Sequence, residues 1–599
     1  MIQKIKSWFS TNVINKTIRI ILLLIVFTII VQARFNRSEG VIIWDIKSYY
    51  AYLPATLIYN DLSFEFMDDG SGKFSKWIWP FESPSGKKAI RASMGMSILY
   101  SPFFLVGHLV ALLTNYEADG YSRPYHVALN FSAMFYLWLG LLCLARVLRR
   151  FFSDNIVAFT LFAVVIGTNL FYYTTREAPM SHSFGFSLFA IFLWLTVRFY
   201  EKPSIKRIIH AGLIAGLIAL VRPTNIIILL VFFLWGISSF SDFKDRVMFF
   251  LKKYYWVLIM AAVFILVWIP QFIYWYSISG KIFYFTYGEK GDSFFFQNPQ
   301  IFNILFSYKK GWLVYTPIMI LAFIGLISTP KRVPGALLPI AVFKIVNIYI
   351  LASWWSWWFG GGFGLRAFVE SYALMALPMA CMIDYAYKQK KALRSIIIGV
   401  FVLLIAFNQF QTIQYNNNAI HWWWMNKEAY WETFFKPYPT ERFWVVVTLP
   451  DYEAARQGIY RELKSPEALK WEERGEEWFT WKKPIPERNI KNWLARKIEN
   501  DSSFVESYSE IIHEDIDTGS EEAIEQKANE LFNAKGYEYW DKTMAIDIIM
   551  EEISSKDKMM SNIEEKAKAS GISVDSQLVK DAEWLYDKER NSGFLRKLF

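Results

Sequence analysis

MIQKIKSWFSTNVINKTIRIILLLIVFTIIVQARF, residues 1–35, decides the class of this chain. A basic lead (Lys4, Lys6, Lys16, Arg19) runs into an apolar stretch long enough to cross the ~30 Å hydrocarbon core of a bilayer. The pattern resembles a secretory signal, but no small-residue cleavage site follows it. It therefore reads as an uncleaved first span whose basic lead stays in the cytoplasm. Further apolar blocks follow, separated by short polar connectors. In hydrocarbon the backbone must pair its own polar groups, so each block predicts a helix. Eleven spans are expected, near 17–33, 126–148, 155–173, 182–199, 208–221, 224–239, 255–276, 311–328, 335–352, 368–387 and 393–411.

Composition agrees: 54% of the 599 residues are hydrophobic, and mean hydropathy is +0.21. Cys143 and Cys381 both sit in apolar blocks, which excludes a disulfide framework, and no CxxC or His-rich metal spacing occurs. The formal charge of +10 lies mostly in short loops, where it sets topology rather than binding nucleic acid. Basic clusters stand at Arg146/Arg149/Arg150, Arg198/Lys202/Lys206/Arg207, Lys244/Arg246/Lys252/Lys253, Lys331/Arg332 and Lys388/Lys390/Lys391/Arg394. Placing them all inside leaves 34–124, 174–181, 222–223, 277–310, 353–367 and everything after about 412 outside. One apolar block, 96–113, breaks this alternation and reads as a re-entrant or interfacial outer helix. Pro317 and Pro339 lie within spans and predict kinks, and Arg222-Pro223 predicts a turn between two short apolar runs.

Three regions result. Residues 1–412 form an all-α polytopic membrane domain whose first outer loop is 34–124. Residues 413–486 are aromatic and interfacial or periplasmic in character. Residues 487–599, rich in Lys, Glu, Asp and Ala with helical periodicity, form a small soluble helical domain. Ser520 before Glu521–Glu522 reads as a helix start.

The ionisable residues of the outer connectors are the candidates for chemistry. Asp45 in WDIKSYYAYLPA lies among Trp44, Tyr49, Tyr50 and Tyr52; a carboxylate desolvated by such neighbours suits general-base work. A hydrated loop aspartate is the plainer alternative. In YYTTREAPMSHS, Glu177 and His182 stand at the outer lip. Arg222 of VRPTN either caps a helix end or meets a phosphate. Lys309 and Lys310 lie on the side that topology does not favour for cations, which suggests an anionic headgroup or a snorkelling pair. The segment SWWSWWFGGGFGLRAF (353–368) places Trp357 and Trp358 before three glycines and Arg366. Its indoles, with His421 in the aromatic run that follows, read as a sugar-stacking lip or as an interfacial anchor.

These segments, in order over roughly 17–430, resemble the C-type glycosyltransferase superfold (GT-C). The carriers are WDIKSYYAYLPA, block 96–113, REAPMSHS, GLIAGLIALVRPTN, FSYKKGWLVYTP and WWSWWFGGGFGLR. That family includes protein mannosyltransferases, aminoarabinose transferases and uncharacterised bacterial members. The resemblance implies a GT-C-like bundle of about eleven spanning helices with outer juxtamembrane helices, in a bacterial inner membrane. It implies an inverting transferase that takes a sugar from a polyprenyl-phosphate lipid at the periplasmic face. Asp45 would be the general base, and Arg366, Lys309, Lys310 and Arg222 would hold the donor phosphate. Glu177, His182, Trp357, Trp358 and His421 would line the acceptor side. Where many members carry an adjacent Asp-Glu pair, Asp45 is followed by Ile46, so a divalent cation is left open and no metal ligand is assigned. The acceptor, whether protein, lipid or glycan, is not specified. Two rival readings remain: a non-catalytic scaffold presenting the C-terminal helices, and a lipid-linked sugar transporter.

Overall fold

A computed structural model describes residues 12–32, 40–68, 70, 72–288, 291–466, 468–469, 485–511 and 520–596. Lys4, Lys6, the opening of the first outer loop and 470–484 lie outside the described residues. The chain divides into two compact units, Met1–Phe443 with Val447–Leu463, and Trp444–Val446 with Lys464–Phe599.

The first unit is helical, and its principal helices are numbered here as α1 (Val13–Gln32), α2 (Asp45–Tyr50), α3 (Gly95–Leu112), α4 (Arg123–Leu148), α5 (Asp154–Ile166), α6 (Ser181–Glu201), α7 (Ile205–Val221), α8 (Tyr255–Ser279), α9 (Leu337–Ala352), α10 (Tyr372–Tyr387) and α11 (Lys391–Asn416). Among the described residues, seven helical stretches are long and apolar enough to cross a membrane: α1, α3, α4, α6, α8, α11 and the run Arg366–Tyr387 that ends in α10. This is a helical membrane protein. The expected spans at 155–173, 224–239 and 335–352 contain shorter apolar helices. The expected span 208–221 is the 17-residue α7. The span expected at 311–328 is broken into Trp312–Tyr315 and Ile318–Gly325, because Pro317 has no N–H to continue the ladder. Pro339 does not kink α9: it sits in the first turn, where its missing N–H has no partner to lose. Block 96–113 is one continuous helix of spanning length.

Burial sorts these helices. Residues 367–384 are buried throughout, whereas most residues of α1, α8 and α11 are not. The outward residues include Leu23, Ile273 and Leu403, all strongly exposed. Apolar side chains facing outward around a buried centre are what a lipid solvent requires.

Close helix contacts are made by small residues. In α7, Gly212 and Gly216 face α8 one turn apart; an added Cβ would lie 2.9 Å from the Met260 carbonyl oxygen and 3.0 Å from that of Phe264. This small-xxx-small spacing lets the two backbones approach. Gly140 of α4 does the same against Ser187 of α6, at 2.8 Å from its Cα. Helix α7 starts at Ser204, whose hydroxyl accepts the Arg207 N–H, and stops at Arg222-Pro223, where a 3-10 turn, Pro223–Ile228, redirects the chain.

The first outer loop packs on its own aromatic core. Tyr50, Tyr52, Phe64, Phe74 and Tyr121 are buried, and a two-stranded ribbon pairs Phe81 with Ala89 and Glu82 with Lys88. His126 ties both ends of the loop to α4: Nδ1 accepts the Val41 N–H and Nε2 donates to the Tyr121 carbonyl, each at 3.0 Å. Helix α2 is thereby held on a packed platform.

The second unit contains the helices Glu487–Asn500, Ser502–Ser507, Glu521–Lys535, Tyr537–Ser554, Asp557–Ser570 and Val574–Arg596. Its core is Ile490, Trp493, Leu494, Leu531, Phe532, Trp540, Met544 and Ile549. Ser520 accepts the Ala523 N–H and caps Glu521–Lys535, as its place in the sequence suggests.

Candidate functional site

Asp45 is the first residue of α2, and its carboxylate lies 3.0 Å from Nη1 of Arg366. Arg366 comes from the glycine-rich segment, and its Nε donates to the Phe359 carbonyl at 2.9 Å. That wrapping needs backbone freedom: Gly360, Gly362 and Gly364 have φ of 65°, 154° and 58°. At Gly362 an added Cβ would sit 2.6 Å from the Tyr173 hydroxyl and 3.2 Å from Cδ of Arg366. The expectation of a desolvated Asp45 is corrected, since its side chain is 41% exposed and its neighbour is a cation. What distinguishes Asp45 is therefore its cationic partner rather than burial.

One turn beyond Arg366, on the same 3-10 segment, stands Glu370. Its carboxylate is 2% exposed, 3.2 Å from Nδ1 of His182 and 3.6 Å from Nε of Arg222. Arg222 Nε also donates to the Ser181 hydroxyl at 3.3 Å. Gly185, one turn into α6, leaves room for this carboxylate, because a Cβ there would collide with Cγ of Glu370. Tyr49, one turn along α2 from Asp45, bonds Ser181 and feels the charges of Asp45, Arg222 and Arg366; burial first, then Asp45, raises its phenol pKa. His182 is thus a buried partner of Glu370 rather than a lip residue. Lys344 of α9 lies under the same segment: Nζ donates to the Ser371 hydroxyl at 2.9 Å and rests 3.8 Å from the ring centroids of both Trp312 and Phe368. Sequence reading missed Glu370 and Lys344. The signal was present, since each is an ionisable residue inside an apolar run, which is costly unless it serves a site.

Lys309 and Lys310 precede the short helix Trp312–Tyr315, and both are buried. Lys309 pairs with Glu462 at 3.2 Å. Lys310 donates to the Gly362 carbonyl, and among the described residues no carboxylate stands in ion-pair range of it. Burial, then the positive charges of Arg366 and Lys309, push the Lys310 pKa well below that of a free lysine. Lys309 is lowered by burial, with Glu462 opposing. The glycine segment therefore joins Asp45, Arg366 and Lys310 into one cluster, with Lys309 beside it. Arg222 and His182 are gathered separately by Glu370. Beside Lys309, a cavity of about 550 Å³ is lined by Phe302, Phe306, Ser307, Tyr308, Met425, Asn426, Lys427 and Glu462.

The other candidates are placed differently. Glu177 accepts from the Tyr172 hydroxyl at 3.0 Å and lies within electrostatic reach of Lys310. Trp357 and Trp358 are buried against Trp355, Tyr452 and Ala455, so they offer no open face to a sugar. His421 is buried, and its Nδ1 accepts the backbone N–H groups of Trp423 and Trp424 at 3.3 and 3.1 Å. Its pKa is lowered to about 3 by burial, then by Lys310 and Lys309, so it is a neutral acceptor that shapes a turn. Among the described residues no three His, Cys, Asp or Glu side chains converge as a metal-ligand set.

No protein-family model matches the chain, and no curated protein matches it. Among solved structures it is similar to the archaeal oligosaccharyltransferase AglB from Archaeoglobus fulgidus in complex with an inhibitory peptide and a dolichol-phosphate, at 12% identity and a TM-score of 0.39, over 71% of this chain and 60% of that one. The same archaeal enzyme with Zn and sulfate gives 13% identity and 0.39, over 71% and 57%. Its apo form gives 12% and 0.40, over 73% and 61%. The chain thus spans less than two thirds of the length of these structures. At these values the likeness assigns no residue role and no substrate to this chain.

Proposed function

We propose that the protein is a GT-C-type membrane glycosyltransferase that moves a sugar from a polyprenyl-phosphate donor to an acceptor hydroxyl at the outer, periplasmic face. The observation that carries this reading is Lys310, a buried lysine near the Asp45–Arg366 pair that donates to a carbonyl and, among the described residues, has no carboxylate within ion-pair distance, Glu177 acting on it only from further away. A buried cation without a close counter-charge is expensive, and an incoming anion repays that cost. Arg366, Lys310 and Lys309 hold the donor phosphate, with Arg222 behind them.

In this scheme the phosphate draws Arg366 away from Asp45. The freed carboxylate takes the proton of the acceptor hydroxyl as its oxygen attacks the anomeric carbon from the opposite face. The bond from that carbon to the phosphate oxygen breaks, and the phosphate leaves with the electron pair. Preorganised cations stabilise the charge that develops on it. Donor arrival and base activation are one event, which protects the donor from premature attack by water.

Cell-surface glycans compared by mass spectrometry test this, using a deletion strain complemented with wild type or Asp45→Asn. Loss of a specific sugar in the deletion, restored by wild type alone, is the expected result. Full restoration by Asp45→Asn removes Asp45 as the base. The transporter reading has an observation in its favour: Glu370 and Lys344 lie inside apolar helical runs, where a transport path would carry charges. It predicts sugar flux that survives Asp45→Asn.

A further inference from the structure

Three tryptophans distant in sequence meet around Trp44, the residue that precedes Asp45. Trp44 and Trp79 are 53% and 44% exposed, although both are large apolar side chains. Their ring centroids are 6.2 Å apart, and Trp44 lies 5.9 Å from Trp422. Trp422 in turn stacks on Trp423 at 4.2 Å. Its position is set by the glycine-rich segment: the Gly362 N–H donates to the Trp422 carbonyl at 3.3 Å, and a Cβ at Gly361 would collide with the Trp422 ring. Lys47, on the same helix as Asp45, places its ammonium 4.3 Å from the centroid of the Trp79 ring.

Trp44 also has an unusual backbone. It stands at φ 50° and ψ −134°, in the region that favours glycine, and it immediately precedes Asp45. A bulky residue held there against its preference turns the indole outward while Asp45 starts the helix. Strain of this kind is retained where the resulting side-chain position matters.

We infer that Trp44, Trp79 and Trp422 form a saccharide-binding platform that seats a pyranose ring against Asp45. A pyranose has an apolar face of C–H bonds and a polar hydroxyl rim. An exposed indole covers the first, and Lys47, Asp45 and Arg366 stand where the second projects. The assignment rests on the transferase reading above, because it names what that site would recognise. It also replaces Trp357 and Trp358, whose rings are buried, as the sugar-facing tryptophans.

The competing role for exposed indoles at an outer lip is a membrane anchor, and one labelling experiment separates the two. Full-length protein carrying 5-fluorotryptophan is placed in nanodiscs. The fluorine resonances of Trp44 and Trp79 are assigned by their loss in Trp44→Phe and Trp79→Phe. The probes are chitotriose, mannotriose and maltotriose, added singly, and lipids carrying a paramagnetic label in the acyl chain. Both resonances should shift with at least one saccharide and stay sharp with the labelled lipid. Trp44→Ala should weaken the titrated saccharide affinity, read on the Trp79 resonance, by about tenfold, equivalent to ~1.4 kcal/mol. Broadening by the lipid label makes the indoles an anchor and overturns the inference, as does a lack of response to every saccharide. Full restoration of the glycan by Asp45→Asn is a separate result: it would remove the base while leaving a demonstrated saccharide platform in place.

Discussion

Asp45 and Glu370 are both carboxylates facing a largely buried arginine, yet the two carboxylates differ in exposure and in partners. Asp45 lies 3.0 Å from Arg366 and is 41% exposed. Glu370 is 2% exposed, and its pairing with Arg222, at 3.6 Å, is backed by His182 at 3.2 Å. Asp45 keeps access to water when it parts from Arg366, so it can exchange that partner at lower cost than a carboxylate sealed from solvent. A buried pair has already lost its hydration, and removing one partner strands the other. On the proposed mechanism the outer pair opens and the inner one stays closed.

The sharpest way to break this comparison is Glu370→Ala. It leaves Arg222 without its buried counter-charge and should destabilise the protein by ~3–5 kcal/mol. Thermal unfolding of the purified protein in detergent reads this directly. An unchanged Tm would mean that water replaces the carboxylate and that the inner cluster is no structural unit. Asp45→Asn should behave in the opposite way, with turnover falling about 10²–10⁴-fold, the usual reach of a general base, while Tm stays put. If Tm drops as far as in Glu370→Ala, the two carboxylates are not different in kind.

Gly185→Ala sharpens the inner half of the comparison without touching a charge. The added methyl would meet Cγ of Glu370, and overpacking of this type costs ~1–3 kcal/mol. Because both changes act on one contact, Gly185→Ala and Glu370→Ala should be strongly non-additive in unfolding experiments. Additive effects would place the damage elsewhere in α6.

The uneven legibility of the site follows from the same physics. Helices announce themselves through apolar runs, so α1, α4, α6, α8 and α11 were readable, as was the Arg222-Pro223 turn. Asp45, Arg366 and Lys310 stood out because they interrupt connectors of unusual composition, and the structure brings them together. Glu370 was hidden because a single carboxylate in an apolar run does not reveal which cation it will meet; Arg222 and His182 are far from it in sequence. Trp357 and Trp358 misled for a related reason. Tryptophan density marks a surface or a core equally well, and only the packing of Tyr452 and Ala455 against them decides for the core. Trp44, a lone indole beside Asp45, gave no sign of its positive φ.

The smallest expected effect concerns Lys310, and it tests whether the outer cluster truly awaits an anion. Burial, then Arg366 and Lys309, lower the Lys310 pKa well below the free-lysine value. A bound phosphate stabilises the ammonium, so binding is linked to proton uptake by any deprotonated Lys310. Affinity must therefore fall as pH rises through the lowered pKa, at values where a free lysine would still be charged. A farnesyl methyl phosphate probe isolates this, because its single negative charge does not titrate over the range. Its affinity should decline several-fold with rising pH in wild type, and the slope should flatten in Lys310→Arg, whose guanidinium keeps its charge. A slope that persists unchanged in Lys310→Arg would assign the titration to another group and leave Lys310 as a structural tie to Gly362. A flattened slope would show that the phosphate is read by the same ammonium that now holds the glycine segment beside Arg366, so that donor binding loosens that segment as it frees Asp45.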